Sequence, residues 1–493
     1  MKLRTVLIGT FALWLGAVAL PAEDQVQQLK LQLQQMQTEF EKTRQLQQAQ
    51  IDALTRKLAE LSAAQPAAIA TVPAKTDEQK KLEQELADEL AAAAPAKPVN
   101  STPSAREPAA PALATGARGS SAYMNISYGA LVVGGWSTAA DPSAQVELGD
   151  HDPIKRGFAL RNGEIAVDGA IDPYFKGFAN IVLKLDANNN TDIELEESFL
   201  QSTSLPNNLQ LKIGQFFASF GRQNPMHPHA WNFVDQPLIL GRTFGPDGMR
   251  GVGAQLSWLA PTPFYTEAFL GVFDGQGGTA FSFRNPGEPD AFGVNRYAGR
   301  ATTDRTLRGA QDLLIVPRIA SSFELSDDTT LLVGLSGAFG PNETGAHRRT
   351  QIYGADFFWK WKPANASQGF PYLTWQTEAL YRNFEAAADP LALLPAETLR
   401  DYGVYSQVIY GFVPRWNAGL RFDYVSGNSA AADFGDPRRG RRFRISPELT
   451  FLPSEFSKIR LQFNHDNSDL FGNADSVWMQ FEFGLGAHAA HKY

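Results

Sequence analysis

From Tyr123 to the C-terminus the sequence consists of segments of about ten to fourteen residues in which apolar and polar side chains alternate, a pattern that restricts the fold severely. Residues 459–464, IRLQFN, alternate three apolar residues with Arg, Gln and Asn. A period of two over such lengths predicts half-buried β-strands. Sixteen strands are predicted, at 124–136, 157–169, 174–186, 192–202, 208–220, 251–260, 264–275, 312–325, 328–339, 350–362, 371–384, 402–413, 416–426, 442–452, 457–466 and 475–485.

The connections between these segments alternate in length. Tight turns such as AIDPY, SLPNN and APTPF occur on one side, whereas most connections on the other side are longer, and two of them are especially long, at 221–250 and 276–311. An even number of strands with this alternation is typical of outer-membrane barrels. Aromatic residues at strand ends, as in DFFWKWKP, suit the boundary between lipid and water. The predicted fold is therefore an all-β transmembrane antiparallel barrel of about 16 strands; a soluble β-sandwich is the alternative.

Three further zones precede the barrel, which is assigned to 122–493. Residues 1–22 combine a short basic start with an apolar run and are predicted to be a signal peptide, with an uncleaved anchor as the alternative. Residues 23–62 repeat apolar positions at heptad spacing and predict an α-helical coiled coil. Residues 63–121 form a Pro/Ala-rich linker with a short helix.

Charge and cysteine content exclude several classes of protein. The net charge of −8 offers no general attraction for nucleic acid, so no nucleic-acid partner is predicted. The absence of cysteine excludes disulfides and thiolate metal sites. No G-x-S-x-G or H-E-x-x-H motif occurs, and we do not predict an enzyme.

The polar rows of such a barrel enclose water, and about sixteen strands leave a channel rather than a packed core. The predicted function is that of a porin for passive diffusion of small hydrophilic solutes or ions. The charged side chains expected to line the lumen are Lys176, Lys184, Lys212, Arg421, Arg460 and Glu482.

The connection 221–250 is unusually apolar and aromatic for a solvated loop. Its apolar residues would be poorly placed in water, so we expect it to fold into the barrel mouth and narrow the pore; a lid or a subunit contact is the alternative. The residues predicted to border the constriction are Arg222, His227, His229, Asp235, Arg242, Asp247 and Arg250.

Two histidine pairs, His227 with His229 and His488 with His491, have spacings that allow both imidazoles of a pair to reach one ion. Neutral imidazole is a common zinc ligand, and a carboxylate such as Asp235 could complete a site. The pairs are expected at opposite ends of the barrel, which favours separate weak sites or purely structural roles. No cofactor is predicted otherwise. A zinc-linked uptake channel or receptor is the alternative function.

The predicted location is the cell outer membrane, with the coiled coil in the periplasm because both barrel ends fall on the short-turn side. Outer-membrane lipid is the expected partner of the apolar rows. The coiled coil needs partner helices, which predicts a homo-oligomer, with a trimer favoured. It could also contact the cell wall.

The barrel region resembles the superfamily of outer-membrane porins typified by the phosphate-selective porins. Residues 221–267 and the terminal GAHAAHKY are similar to barrels labelled zinc-regulated TonB-dependent outer-membrane receptors. That resemblance implies an association with zinc. A TonB-dependent receptor also needs a plug domain, which the region before Tyr123 does not provide, so energy-coupled transport is not carried over. No regular arginine ladder follows the lumen rows, and no anion site is carried over.

Overall fold

The computed structural model describes residues 123–170, 172–303, 306–434 and 436–486. The predicted signal peptide, coiled coil and linker at 1–22, 23–62 and 63–121 lie outside these residues, as do His488 and His491. Those assignments stay predictions.

The described residues form strands and a few short helices. The strands are β1 (Tyr123–Ser137), β2 (Gly157–Ala170), β3 (Phe175–Leu185), β4 (Thr191–Ser202), β5 (Leu209–Phe217), β6 (Arg250–Leu259), β7 (Tyr265–Phe273), β8 (Glu288–Pro289), β9 (Asn295–Tyr297), β10 (Arg300–Ala301), β11 (Leu314–Ser326), β12 (Thr329–Pro341), β13 (Arg349–Trp361), β14 (Tyr372–Ala386), β15 (Glu397–Val413), β16 (Trp416–Gly427), β17 (Arg442–Ser454), β18 (Ser457–Ser468) and β19 (Gly472–Gly486). The α-helices are α1 (Pro142–Gln145) and α2 (Leu238–Phe244), and the 3₁₀ helices are Pro206–Asn208, Pro228–Ala230, Gly278–Ala280, Ala310–Asp312, Ala431–Phe434 and Pro437–Arg439.

Strands β1–β7 and β11–β19 form one closed antiparallel barrel, which confirms the sixteen predicted strands. Each barrel strand pairs with its neighbours in the sequence, and β1 closes the ring by pairing with β19, where Val132 lies opposite Phe481. Closure leaves no open edge, as a sheet in a lipid environment requires. The short strands β8–β10 form a separate three-stranded sheet within the connection from β7 to β11.

Burial along the barrel strands is inverted relative to a soluble protein. In β18 the polar residues Gln462 and Asn464 are 0% exposed, whereas Leu461 and Phe463 are 45% and 39% exposed. The sequence pattern causes this arrangement, because side chains alternate between the two faces of a strand and only the apolar face suits lipid. The outer face carries, among others, Leu200, Ile213, Val252, Leu256, Leu270, Ile319, Leu335, Leu420, Val477 and Met479.

The two ends of the barrel differ in the length of their connections. At one end, here called the short-turn end, β11 and β12 are joined by residues 327–328 and β15 and β16 by residues 414–415. At the other end, the long-loop end, residues 218–249 join β5 to β6 and residues 274–313 join β7 to β11. Exposed aromatic residues lie near both rims, as predicted; they include Trp258, Trp375 and Trp416 at the short-turn end and Trp136, Tyr353 and Tyr402 at the long-loop end.

Most predicted strand limits agree with the structure within a few residues, but β15 begins at Glu397 rather than at 402. The additional residues continue the ladder with β14, where Asp401 lies opposite Arg382. An ion pair between Asp401 and Arg382 inside the barrel stabilises this extension. Among the described residues, no helix is long and apolar enough to cross a bilayer.

Candidate functional site

Residues 218–249, here called the inner segment, fold into the barrel rather than away from it. The apolar residues of its centre are buried, with Phe233 and Leu238 at 1% and Ile239 at 0% exposure. Leu238 and Ile239 join a core cluster with wall residues that include Phe216, Phe273 and Tyr405. Because these side chains would be exposed in a solvated loop, their burial stabilises the inward course of the segment.

The first turn of the inner segment is fixed by a wall carboxylate. Glu378 on β14 accepts hydrogen bonds from the backbone N–H groups of Arg222 and Gln223, at 3.0 and 2.7 Å. The hydroxyl of Tyr405 also donates to this carboxylate at 2.7 Å. Gly221 has a φ of +59°, and a Cβ placed there would lie 2.1 Å from Glu378 Oε2. Glycine is thus required both by the backbone and by the close carboxylate.

The middle of the inner segment is held at the opposite wall by Asp235. Its Oδ1 lies 2.6 Å from Arg421 Nη2, and its other oxygen contacts Arg444 Nη1. Gln462 and Asn464 donate to the same carboxylate at 3.0 and 2.7 Å. Strand β16, which carries Arg421, is eight strands away from β5 in the ring of sixteen, the largest separation that such a ring allows. The segment therefore spans the full width of the barrel.

The returning part of the inner segment is held by further carboxylates. The backbone N–H of Leu238 donates to Asp423 at 3.0 Å. Arg242 on α2 pairs with Asp401 at 3.0 Å and with Asp436 at 3.2 Å. These contacts involve charged hydrogen bonds, which are the strong ones in a protein interior.

A second inward connection, residues 138–156 between β1 and β2, packs against the inner segment. Its Glu147 pairs with Arg444 at 2.9 Å, and its Asp152 accepts from the backbone N–H of Gln236 at 2.9 Å. Burial raises the pKa of Glu147 to about 8, although Arg444 opposes that shift. The composition of this connection is that of an ordinary polar loop, so its inward course was not predicted from the sequence. Its closely spaced acidic residues are the one sequence feature that indicates a role inside a barrel lined by arginines.

His227 lies among three buried carboxylates on the wall next to β5. Its Nδ1 is 2.7 Å from Glu196 and 3.7 Å from Glu164, and its Nε2 is 2.9 Å from Glu197. Burial by itself lowers the pKa of His227, but the three carboxylates outweigh burial and hold the pKa well above its usual value of 6.5. The imidazole is therefore positively charged near neutral pH.

His229 stacks on His227, with ring centroids 5.8 Å apart, and its Nδ1 lies 2.9 Å from Glu164. The structure thus brings the first predicted histidine pair together. The carboxylates beside the pair are those of β2 and β4 and not Asp235, which is engaged by Arg421 and Arg444. No sequence pattern indicates these glutamates, because strand register and not sequence distance places them beside the histidines.

Asp150, His151 and Asp247 form another group, with ligand-type atoms within 4.8 Å of one another. The ammonium of Lys184 contacts Asp150 and lies 3.9 Å from Asp247. A cation supplied by the chain therefore already lies among these carboxylates. Burial, together with the neighbouring charge of Asp150, raises the pKa of Asp247 to about 6.

The inner segment separates two groups of cavities. At the long-loop end lies a cavity of about 1000 Å³, lined by residues that include Asp247, Arg242, Arg296 and Arg442. At the short-turn end lie adjoining cavities of about 340 and 600 Å³, which share Ser219, Tyr265, Phe269 and Leu332. Between them is a cavity of only about 20 Å³, which shares Asp247 with the first cavity and Met226 with the 340 Å³ cavity.

The predicted constriction residues occupy three kinds of position. Arg222, Arg242 and Asp247 line the larger cavities. His229 lines a cavity of about 50 Å³ near the short-turn end. Asp235, His227 and Arg250 are only 1%, 2% and 4% exposed, because each is enclosed by wall residues of opposite charge.

The residues predicted to line the lumen lie on the polar rows of their strands. They are Lys176, Lys184 and Lys212, with Arg421, Arg460 and Glu482. Three of them are buried and not surrounded by open water as expected: Arg421, Arg460 and Lys184 are 1%, 3% and 7% exposed. Asp235 covers Arg421, the backbone carbonyl of Trp231 covers Arg460, and Asp150 and Glu194 contact the Lys184 ammonium. The predicted zinc ligands His488 and His491 lie beyond Gly486, where the described residues end.

A closed wall of sixteen antiparallel strands with an apolar outer face and a polar inner face is the architecture of a transmembrane β-barrel. The channel DcaP of Acinetobacter baumannii has a similar fold, with a TM-score of 0.50 and 10% identity over 75% of this chain and 99% of that chain. An anion-selective porin from Comamonas acidovorans matches with a TM-score of 0.45 and 7% identity over 73% and 98% of the two chains.

In sequence, the chain is 31% identical to an uncharacterized protein of Aquifex aeolicus over 360 residues, which are 69% of this chain and 71% of that protein. The chain belongs to the same family as this Aquifex protein. No protein-family model matches the sequence. The resemblance to zinc-regulated receptors and to phosphate-selective porins therefore stays a prediction.

Proposed function

We propose that this protein forms a water-filled channel in the outer membrane for passive diffusion of small hydrophilic solutes or ions. The observation that carries the proposal is that cavities lined by charged and polar side chains lie at both ends of the barrel, with the inner segment between them. An apolar outer wall around a polar interior is the arrangement of proteins that let solutes cross a lipid layer. The fold shared with a known outer-membrane channel supports the same conclusion.

The inner segment narrows this channel. A cavity of about 20 Å³ between the two ends holds little more than one water molecule, which needs about 10–15 Å³ by a comparable measure. Passage of a larger solute then requires a displacement of the inner segment around Met226 and Asp247, which line that cavity. Arg222, Arg242 and Asp247 are the charged residues that a solute meets on either side.

Conductance of the full-length protein in planar bilayers tests the channel. We expect discrete open steps, small in size, that become larger in an Asp235→Ala variant because the inner segment loses its hold on the opposite wall. A protein that inserts as a folded barrel but conducts in neither form would overturn the proposal. Insertion is checked independently by protection of the barrel from added protease.

We further propose a homo-oligomer, with a trimer favoured, joined through the coiled coil at residues 23–62 on the periplasmic side. The support is the heptad pattern, since one amphipathic helix cannot bury its apolar stripe alone. Contact of the same coil with the cell wall is part of this proposal. A variant lacking residues 23–62 that keeps the same number of subunits as the full-length protein and still sediments with purified peptidoglycan would contradict it.

A zinc-linked uptake channel is the second candidate, and one observation favours it. His227 and His229 stand beside Glu164, Glu196 and Glu197, which are 5%, 2% and 7% exposed. Neutral imidazole nitrogen and carboxylate oxygen are zinc ligands, so the donor set fits the ion once His227 has released its proton. Added zinc should then block the conductance, and a His227→Ala/His229→Ala variant should not be blocked. Equal block of both proteins would exclude this site, with His488 and His491 left as the next pair to replace.

A further inference from the structure

The cavity of about 600 Å³ at the short-turn end is built differently from the rest of the interior. Its walls come from β4–β7, β11 and β12, and Ser219, at the start of the inner segment, also lines it. Its volume falls within the range of about 300–1,000 Å³ typical of sites for small ligands. It adjoins the cavity of about 340 Å³ that reaches Arg222.

Uncommitted amide and hydroxyl groups line this cavity. Among the described residues, the side chains of Gln201, Gln255 and Ser257 have no hydrogen-bond partner. Gln255 and Ser257 are only 6% exposed, yet their polar atoms still reach the cavity surface. Amides both donate and accept, and polar groups in such confined places find a partner when one is present. They are therefore available to a solute that carries several hydroxyl groups.

The cavity has little free charge. Its ionisable side chains besides the tyrosine are Lys212 and Glu267, one of each sign. The Lys212 ammonium lies 4.3 Å from the ring centroid of Phe199, and Glu267 accepts a hydrogen bond of 2.5 Å from the hydroxyl of Tyr265. A charged solute would lose hydration here without gaining a strong counter-charge, whereas a neutral one exchanges hydrogen bonds with water for hydrogen bonds with amides.

Aromatic rings complete the lining. Tyr265 and Phe269 lie on the same face of β7, since their numbers differ by an even step, and both line the cavity. Aromatic rings supply a large apolar area against which the C–H face of a sugar ring can lie. The cavity at the long-loop end is different, because nine charged side chains line it, among them Asp150, Asp247 and Arg438.

We infer that the short-turn cavity binds a neutral polyhydroxylated solute of mono- to disaccharide size, held by the side chains of Gln201, Gln255 and Ser257 and by the rings of β7. This inference rests on the proposed channel function and names the class of solute that the short-turn end of the channel selects.

Saturation-transfer difference NMR on the detergent-solubilised full-length protein tests the site without any need for conduction. The probes are maltose as the neutral sugar, and gluconate and glucosamine as charged comparators. We expect a transfer signal for maltose that is several-fold stronger than for either charged compound. The half-saturating maltose concentration should rise about fivefold in Gln255→Leu, as the loss of one neutral hydrogen bond implies.

Gln145→Leu is the matched control, because Gln145 lines the cavity at the long-loop end. It should bind maltose as the unmodified protein does. Absence of a maltose signal, equal binding of gluconate, or an unchanged affinity in a Gln255→Leu protein that folds as shown by heat-modifiable gel mobility would each overturn the inference. Conductance in bilayers separates the two ideas: open steps without maltose binding reject the site alone, whereas maltose binding without open steps rejects the channel.

Discussion

Asp235 and Arg421 form an ion pair of 2.6 Å inside the barrel, although 186 positions separate them in the sequence. The two side chains are 1% exposed. One belongs to the connection that leaves β5, and the other to the strand diametrically across the ring. A second arginine, Arg444, contacts the same carboxylate. The pair therefore decides how far the inner segment reaches across the barrel, and the first two predictions depend on it.

Asp235→Asn should loosen the inner segment. The variant removes one carboxylate from a buried charge network in which Arg421 keeps Asp423 and Arg444 keeps Glu147 and Asp466. The loss of stability should therefore fall below the value of about 3–5 kcal/mol that is typical when an isolated buried pair is broken. We expect a larger single-channel conductance and a lower urea midpoint of unfolding. Asp469→Asn is the control, because Asp469 is exposed and pairs only with the exposed Arg441. Equal conductance of the two variants would show that Asp235 does not hold the segment.

The same contact predicts an acid-induced opening. Burial by itself raises the pKa of Asp235, but Arg421 and Arg444 outweigh burial and hold the pKa below its usual value of 3.8. A depressed pKa means that the contribution to stability is complete above about pH 3.8 and is lost as the pH falls through the folded-state value. Conductance recorded at pH 6 and then at decreasing pH should rise only in strong acid. The rise should be missing in Asp235→Asn, and a transition of equal size in that variant would contradict the assignment.

Ion preference should change near pH 6 through Asp247. Because burial and Asp150 raise its pKa to about 6, Asp247 is mostly neutral at pH 5 and charged at pH 7. The cavity at the long-loop end thus gains a negative charge as the pH rises, which favours cations. The reversal potential in a KCl gradient should shift toward cation preference between these pH values. Asp247→Asn should abolish the shift in reversal potential. Asp436→Asn is the control in the same cavity and should retain the shift. A shift that persists in Asp247→Asn would show that another group titrates.

Gly221→Ala should disturb the start of the inner segment. The new methyl group would meet Glu378 Oε2 at 2.1 Å and break the carboxylate's bonds to the backbone of Arg222 and Gln223. Gly472→Ala is the matched control, since Gly472 also has a positive φ, of +73°, but has open space around its Cβ position. We expect protease cleavage within residues 218–249 in the first variant only. Equal cleavage of both would mean that the contact between Gly221 and Glu378 does not hold the segment.

The apolar core of the inner segment should contribute measurably to stability. Ile239 is 0% exposed within the core cluster, and truncation of a buried isoleucine to alanine typically costs about 2–5 kcal/mol. Leu391→Ala is the control, because Leu391 is 94% exposed, and its free energy of unfolding should change by no more than about 0.5 kcal/mol. Urea-induced unfolding followed by tryptophan fluorescence measures both. Similar values for the two variants would indicate that the inner segment packs loosely.

Much of the wall could be predicted from the sequence because strand alternation is a local property. The alternation of residues 459–464 is visible as letters, and the structure places the same residues alternately inside and outside the barrel. The inward course of residues 218–249 was likewise indicated by apolar residues such as Phe233 and Ile239, which have no place in water. The role of the 138–156 connection could not be found in this way, since it depends on a contact between Glu147 and Arg444, 297 positions apart.

By itself the sequence determined the number of barrel strands, the face that each of their residues occupies and the segment that must leave the solvent, because hydrophobic periodicity acts over neighbouring residues. Only the tertiary structure decided which groups meet inside the barrel. The closure of the ring placed Asp235 against Arg421, and strand register placed His227 beside Glu164, Glu196 and Glu197. Register and closure bring together residues that are distant along the chain, and no local pattern encodes such distances.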